Sequence, residues 1–75
     1  MKPKLRVKSE DGVFIIHAPT HHYRVRFNRS ERAWQIYYLD LHTQKSGVKY
    51  KRTIDEALEW VQEVHVPAKL KEWFL

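Results

Sequence analysis

Two sets of side chains in this sequence have chemistry to offer: five histidines and a run of strand arginines. His17, His21, His22, His42 and His65 are of a type that ligates metals and moves protons near neutral pH. A metal needs ligands that converge. The adjacent His21 and His22 point to opposite faces of an extended strand, and no helical carboxylate accompanies them. They read as loop histidines at a strand entrance, so no metal and no other cofactor is expected. Ser9, Ser30 and Ser46 sit in turn-like sequence without a nucleophile elbow. Asp40 and His42 lie close together at a strand end, a spacing that is weak evidence for a general-base pair and common by chance. Gly12 and Gly47 are the only glycines, which leaves no glycine-rich loop to cradle a phosphate. The chain is not expected to be an enzyme.

The arginines tell more. In "HYRVRFN", His22 to Asn28, the side chains alternate with period two, placing Tyr23, Val25 and Phe27 on one face and His22, Arg24 and Arg26 on the other. "AWQIYYLDL", Ala33 to Leu41, sorts Trp34, Ile36 and Tyr38 from Gln35, Tyr37 and Leu39 in the same way. In "VKYKR", Val48 to Arg52, Val48 and Tyr50 are expected inward and Lys49 and Lys51 outward. Arg24, Arg26, Gln35, Tyr37, Lys49 and Lys51 would then share one open face. Arg6 and Lys8, with Lys4, join them if Leu5 and Val7 point inward.

The elements that must position these residues follow from the same pattern. "KLRVKSEDGVFIIHAP" reads as a hairpin, with strands over Leu5 to Glu10 and Val13 to Ala18 about the turn dipeptide Asp11-Gly12. Pro19 breaks the run. "NRSER" and "HTQKSG" are polar connections. At Thr53 the period changes: "TIDE" has the form of a capping box, and Ile54, Ala57, Leu58, Val61 and Val64 recur at helical spacing. The helix is predicted to end near Val66, before Pro67. Leu70, Trp73 and Phe74 mark one side of a short C-terminal helical turn. The expected fold class is α+β: an antiparallel sheet of four to five strands with one main C-terminal helix packed on one face. It forms a single small domain over 1–75, with the sheet in 1–52, the helix in 53–66 and a docking segment in 67–75.

Charge divides along the same boundary. Residues 1–52 carry 12 basic and 4 acidic side chains, a balance of +8, whereas residues 53–75 carry 2 and 5, a balance of −3. The whole chain of 75 residues is +5, with a pI near 9.7. Asp55, Glu56, Glu59 and Glu63 meet no Lys or Arg before Lys69, so the helix is acidic and the sheet basic. A domain with that polarity approaches a polyanion sheet first. Nucleic acid is therefore the expected partner, DNA ahead of RNA, with affinity that falls steeply with salt. Tyr37, an aromatic among arginines, is placed to stack on a base. The bland account of the same face is a solvated sheet surface whose cations deter edge aggregation.

The run "YRVRF", "AWQIYYLD", "KSGVKYKRT" and "TIDEALEW", from Tyr23 to about Val64, resembles the three strands and helix of AP2-like DNA-binding domains and the related arm-binding domains of phage-type integrases. The family's glycine between the tyrosine and the Val-Arg pair is absent, and an additional hairpin precedes the motif. The resemblance implies a sheet laid in the DNA major groove, with contacts falling on Arg24, Arg26, Gln35, Lys49 and Lys51, and a phage or mobile-element accessory role. A five-strand reading is also similar to single-strand-binding sheets, which use a curved basic face with aromatic platforms and often dimerise through the helix.

The alternative is a protein-binding module or small inhibitor acting through the acidic helix face or the apolar residues Leu70, Trp73 and Phe74, which otherwise fold back to cap the core. A monomer or a homodimer fits either reading. The chain has no cysteine, its basic start lacks the apolar run of a secretory signal, and no apolar run approaches the roughly 18 residues of a membrane span. A cytoplasmic protein without membrane contact is expected.

Overall fold

In the computed structural model, which describes residues 5–74 without the side chain of Phe74, five antiparallel strands are followed by a helix. Lys4 and the expected apolar contacts of Phe74 and Leu75 lie outside the described residues. The strands are β1 (Arg6–Glu10), β2 (Val13–His17), β3 (His21–Asn28), β4 (Ala33–Asp40) and β5 (Ser46–Lys51), and they neighbour one another in chain order. The fold is α+β, an antiparallel sheet with a C-terminal helix packed on it.

Local chemistry accounts for the connections. Asp11 and Gly12 both adopt positive φ, at 49° and 78°, the backbone of a two-residue hairpin whose twist matches its strands. Asn28 holds the β3–β4 turn through its side-chain oxygen, which accepts from the Glu31 backbone N–H at 3.1 Å. Asp40 organises the β4–β5 loop, accepting the His42 and Thr43 backbone N–H groups at 2.8 and 3.0 Å. Ser9 and Ser46, expected in turns, are strand residues.

The helix begins as expected and ends differently. Thr53 accepts from the Glu56 N–H at 3.1 Å and caps α1 (Ile54–Glu59), with Asp55 and Glu56 in its first turn. The chain then widens into a π-helical segment, Trp60–His65, in which the Val66 N–H reaches back five residues to the Val61 carbonyl. It continues directly as α2 (Val66–Phe74). The predicted stop before Pro67 is thus overturned. A proline inside a regular α-helix lacks an N–H and crowds the carbonyl four residues back. Here it falls in the first turn of α2, behind a widened turn, where neither cost applies in full.

The wide turn also rotates the buried face. Ala57, Val61 and Val66 are fully buried and His65 nearly so, while Val64, predicted inward, is 54% exposed. Val61 and Val66 meet Ile16, Ala18, Tyr23, Val25 and Ile36 of the sheet side, with Leu5, Phe14, Trp34, Tyr38, Leu58, Trp60 and Leu70 around them. Phe27 lies on the helix side as expected but stays 45% exposed, edge-on to Trp34. No helix among the described residues is long and apolar enough to cross a membrane.

Candidate nucleic-acid interface

Cross-strand pairing decides which side chains share the open face. His17 pairs with Arg6 and His22; Ile15 pairs with Lys8 and Arg24; Tyr37 pairs with Arg24 and Val48; Gln35 pairs with Arg26 and Tyr50. Directly paired residues lie on the same side of a sheet. The face without the helix therefore carries Arg6, Lys8, Arg24, Arg26, Gln35 and Tyr37 together, as expected for these six. Glu10 is the one acid on it among the strand residues.

Lys49 and Lys51 are a correction. They pair with Ile36 and Trp34, both on the helix side, so β5 has the opposite phase from the one predicted and its lysines leave the open face. Lys51 instead lines a hollow with Glu56, Glu59, Trp60 and Val64. Two features account for the phase. Gly47 lies opposite Tyr38, and any side chain there would collide with the Tyr38 ring, so the glycine must sit under that ring on the helix side. Glu56 and Glu59 of the helix then share their hollow with Lys51 rather than with an apolar group. In exchange Val48 and Tyr50 stand on the open face, 46% and 43% exposed, near Tyr37 at 39%.

The open face is thus cationic and apolar by turns. Arg24 and Tyr37 border two shallow hollows of about 370 and 360 Å³, the first completed by Val13, Arg26 and Gln35, the second by His17, His22, Tyr23 and Leu39. The Gln35 side-chain oxygen accepts from the Asn28 amide at 2.8 Å. His17 and His22 stack at 4.3 Å between ring centroids.

The opposite face holds a buried polar cluster that the loop-histidine reading missed. Thr20, His21 and Tyr23 are 0–1% exposed and His65 is 8% exposed. Burial, and next the Tyr38 hydroxyl, raise the Tyr23 pKa, so its protonated hydroxyl donates to His65 Nδ1 at 2.7 Å. Burial lowers His65 to about 4, with His21 adding in the same direction. His21 is lowered by burial too, against the opposing pull of Asp40. As a neutral ring it accepts the Thr20 hydroxyl at Nδ1, 2.9 Å away, and turns Nε2 toward Asp40 Oδ2 at 3.6 Å. The Thr43 N–H, followed by that of His42, holds Asp40 below the usual carboxylate range. No buried side-chain polar atom among the described residues lacks a partner. Its innermost members are closed off from solvent, and the Tyr23–His65 hydrogen bond ties the helix to the sheet. Among the described residues no group of three or more His, Asp or Glu side chains is arranged to hold a metal.

One signal for His65 was available: it lies four residues after Val61, on the apolar stripe. Asp40 and His42 do not form a side-chain pair of the kind considered for general-base work. Asp40 binds the His42 backbone, and the His42 ring lies 5.4 Å from that of Trp73. Of the apolar C-terminal residues, Leu70 packs against the core and Trp73 is half-buried. No family model matches this chain, and neither does any curated protein or solved structure.

Proposed function

We propose that this chain is a nucleic-acid-binding module, DNA ahead of RNA, that binds through the open face of its sheet. The observation that carries the reading is the strand register, which sets Arg24 and Arg26 beside the exposed ring of Tyr37 and brings Arg6 and Lys8 to the same face at its β1 edge, a face that no other described element covers. Phosphates are attracted by such a set of cations, and each contact releases counterions. The likeness of residues 23–64 to AP2-like domains supports the same use of a sheet face, with contacts on Arg24, Arg26 and Gln35.

Fluorescence anisotropy with labelled duplex DNA, single-stranded DNA and RNA tests it. Binding should be measurable at low salt, weaken steeply toward physiological salt, and disappear in the double variant Arg24→Glu/Arg26→Glu while the circular dichroism spectrum is retained. Binding by the folded double variant at the wild-type level would refute the assignment.

A second reading, a protein-binding module, draws on the helix surface. There Val64 stands 54% exposed beside a hollow lined by Glu56, Glu59, Trp60 and Lys51, an apolar residue in an acidic setting suited to a basic partner segment. Absence of nucleic-acid binding under all conditions would bring it forward.

A further inference from the structure

The open face has an order that charge alone does not require. Tyr50 pairs with Gln35, Tyr37 with Val48, and His22 with Leu39. Tyr50, Tyr37 and His22 therefore occupy β5, β4 and β3 in turn, each displaced two residues along the strands from the last. Such diagonal neighbours on one face are about 7–8 Å apart. They make a line of rings across the sheet, which the stacked ring of His17 closes at 4.3 Å from His22.

The two flanks of the line differ. On one side Arg24 pairs with Tyr37, and Arg26 follows two residues along β3, about 6.8 Å away. On the other side lie the apolar groups Val48 and Leu39. Cations beside one edge of a row of rings and apolar surface beside the other match a polymer with phosphates along one margin and flat bases along the next.

Resting on the nucleic-acid reading above, we infer that the ligand of this face is a single strand, with bases stacked on Tyr50, Tyr37 and His22 and its backbone following Arg24 and Arg26. A duplex keeps its base faces stacked inside and gains nothing from exposed rings, whereas every unpaired base has a face to offer. Edge reading in a duplex groove needs free side-chain donors and acceptors, such as both ends of a glutamine amide on adenine. Gln35, the amide at the centre of the face, already has one of its oxygen's two acceptor positions taken by Asn28 and its direction fixed by that bond.

The test compares oligodeoxythymidine of about twelve nucleotides, a size within the usual range for a single-strand site, with a duplex of equal length. Anisotropy is read at fixed salt for wild type, Tyr37→Ala, Tyr50→Ala and the corresponding phenylalanine variants. Wild type should bind the single strand at least tenfold more tightly than the duplex. Each alanine should weaken single-strand binding by about tenfold, and each phenylalanine should restore it, because the ring rather than the hydroxyl stacks. Circular dichroism should be unchanged throughout.

Equal or tighter duplex binding would overturn the inference. So would alanine variants that bind the single strand normally while Arg24→Glu/Arg26→Glu does not; in both cases the basic face remains a nucleic-acid surface. No binding to any oligonucleotide would overturn the inference together with the function it rests on.

Discussion

His21 and His22 are neighbours in the chain and opposite in circumstance. His21 enters the covered side of the sheet, is kept neutral by the loss of its water, and sits between Thr20 and Asp40. His22 enters the open side, remains exposed and stacks on His17. The two sides of one sheet have thus been given different tasks by a backbone that only alternates. On the covered side every polar atom must be matched, because an unmatched one costs about 1–3 kcal/mol. On the open side water satisfies the polar atoms, and the arginines and tyrosines stay exposed.

The sharpest way to break this comparison uses one tyrosine from each side. Tyr23 is 1% exposed, belongs to the core and donates to His65. Tyr23→Ala should cost about 3–5 kcal/mol, the range for emptying a large buried aromatic site. In a small domain whose total stability is of order 5–15 kcal/mol, that brings the chain to the edge of unfolding. Tyr37→Ala should change stability by less than about 0.5 kcal/mol, as surface substitutions usually do. Urea denaturation followed by circular dichroism measures both. Similar losses would mean that the open face is structural rather than reserved for a ligand.

Acid supplies a second and somewhat smaller test. His65 falls to about 4 in the folded chain, against an ordinary value of 6.5. A histidine depressed by folding contributes its full stability above pH 6.5 and loses it as pH falls through 6.5 toward 4. The amount at stake is about 3 kcal/mol at 1.36 kcal/mol per pH unit. His21 works in the same direction. The groups that act on His65 are His21 and Asp40 from the sheet and Lys69 and Glu72 from α2. Asp40, itself depressed, loses its contribution only at lower pH, through the carboxylate range. Urea midpoints between about pH 7.5 and pH 4.5 should fall for wild type. In His65→Gln, which keeps an acceptor for Tyr23 and has no charge to gain, the slope should flatten. Parallel slopes would show that His65 is not the group that acid attacks.

These differences show what alternation can and cannot tell. Period two placed Tyr23, Val25, Ile36 and Tyr38 on one side and Arg24, Arg26, Gln35 and Tyr37 on the other, because β3 and β4 are central and both faces have strong preferences. It failed in β5, where Val48 and Tyr50 were apolar enough to be assigned inward. The phase of that edge strand is set by a pair contact, the Tyr38 ring over Gly47, which no periodicity within the strand encodes. The helix start was legible from Thr53 and its following acids. The helix end was not, because Pro67 signals a stop in a regular α-helix and the π turn before it changes what proline costs. On the open face the placement of the arginines and Tyr37 was legible. Its diagonal of rings was not, since that order depends on the register of three strands at once.

The smallest expected effect concerns that π turn, which carries both His65 and Val66 to the covered side and leaves Val64 outside. If Pro67 sat in strain, its replacement by alanine would relieve a penalty of about 3 kcal/mol and stabilise the chain by a comparable amount. Placed in the first turn of α2, it carries little strain, and its fixed φ restricts the unfolded chain instead. Pro67→Ala should therefore lower stability slightly, by less than about 1 kcal/mol. The π turn should persist, because it is the burial of two adjacent side chains, His65 and Val66, that the wide turn makes possible. The imidazole resonances of His65, followed by NMR against pH, should still titrate far below the ordinary histidine value of 6.5. A clear gain in stability, or a His65 that titrates normally in the folded variant, would show instead that the proline imposes the turn. The burial of His65 against the sheet would then depend on a single residue at the start of α2.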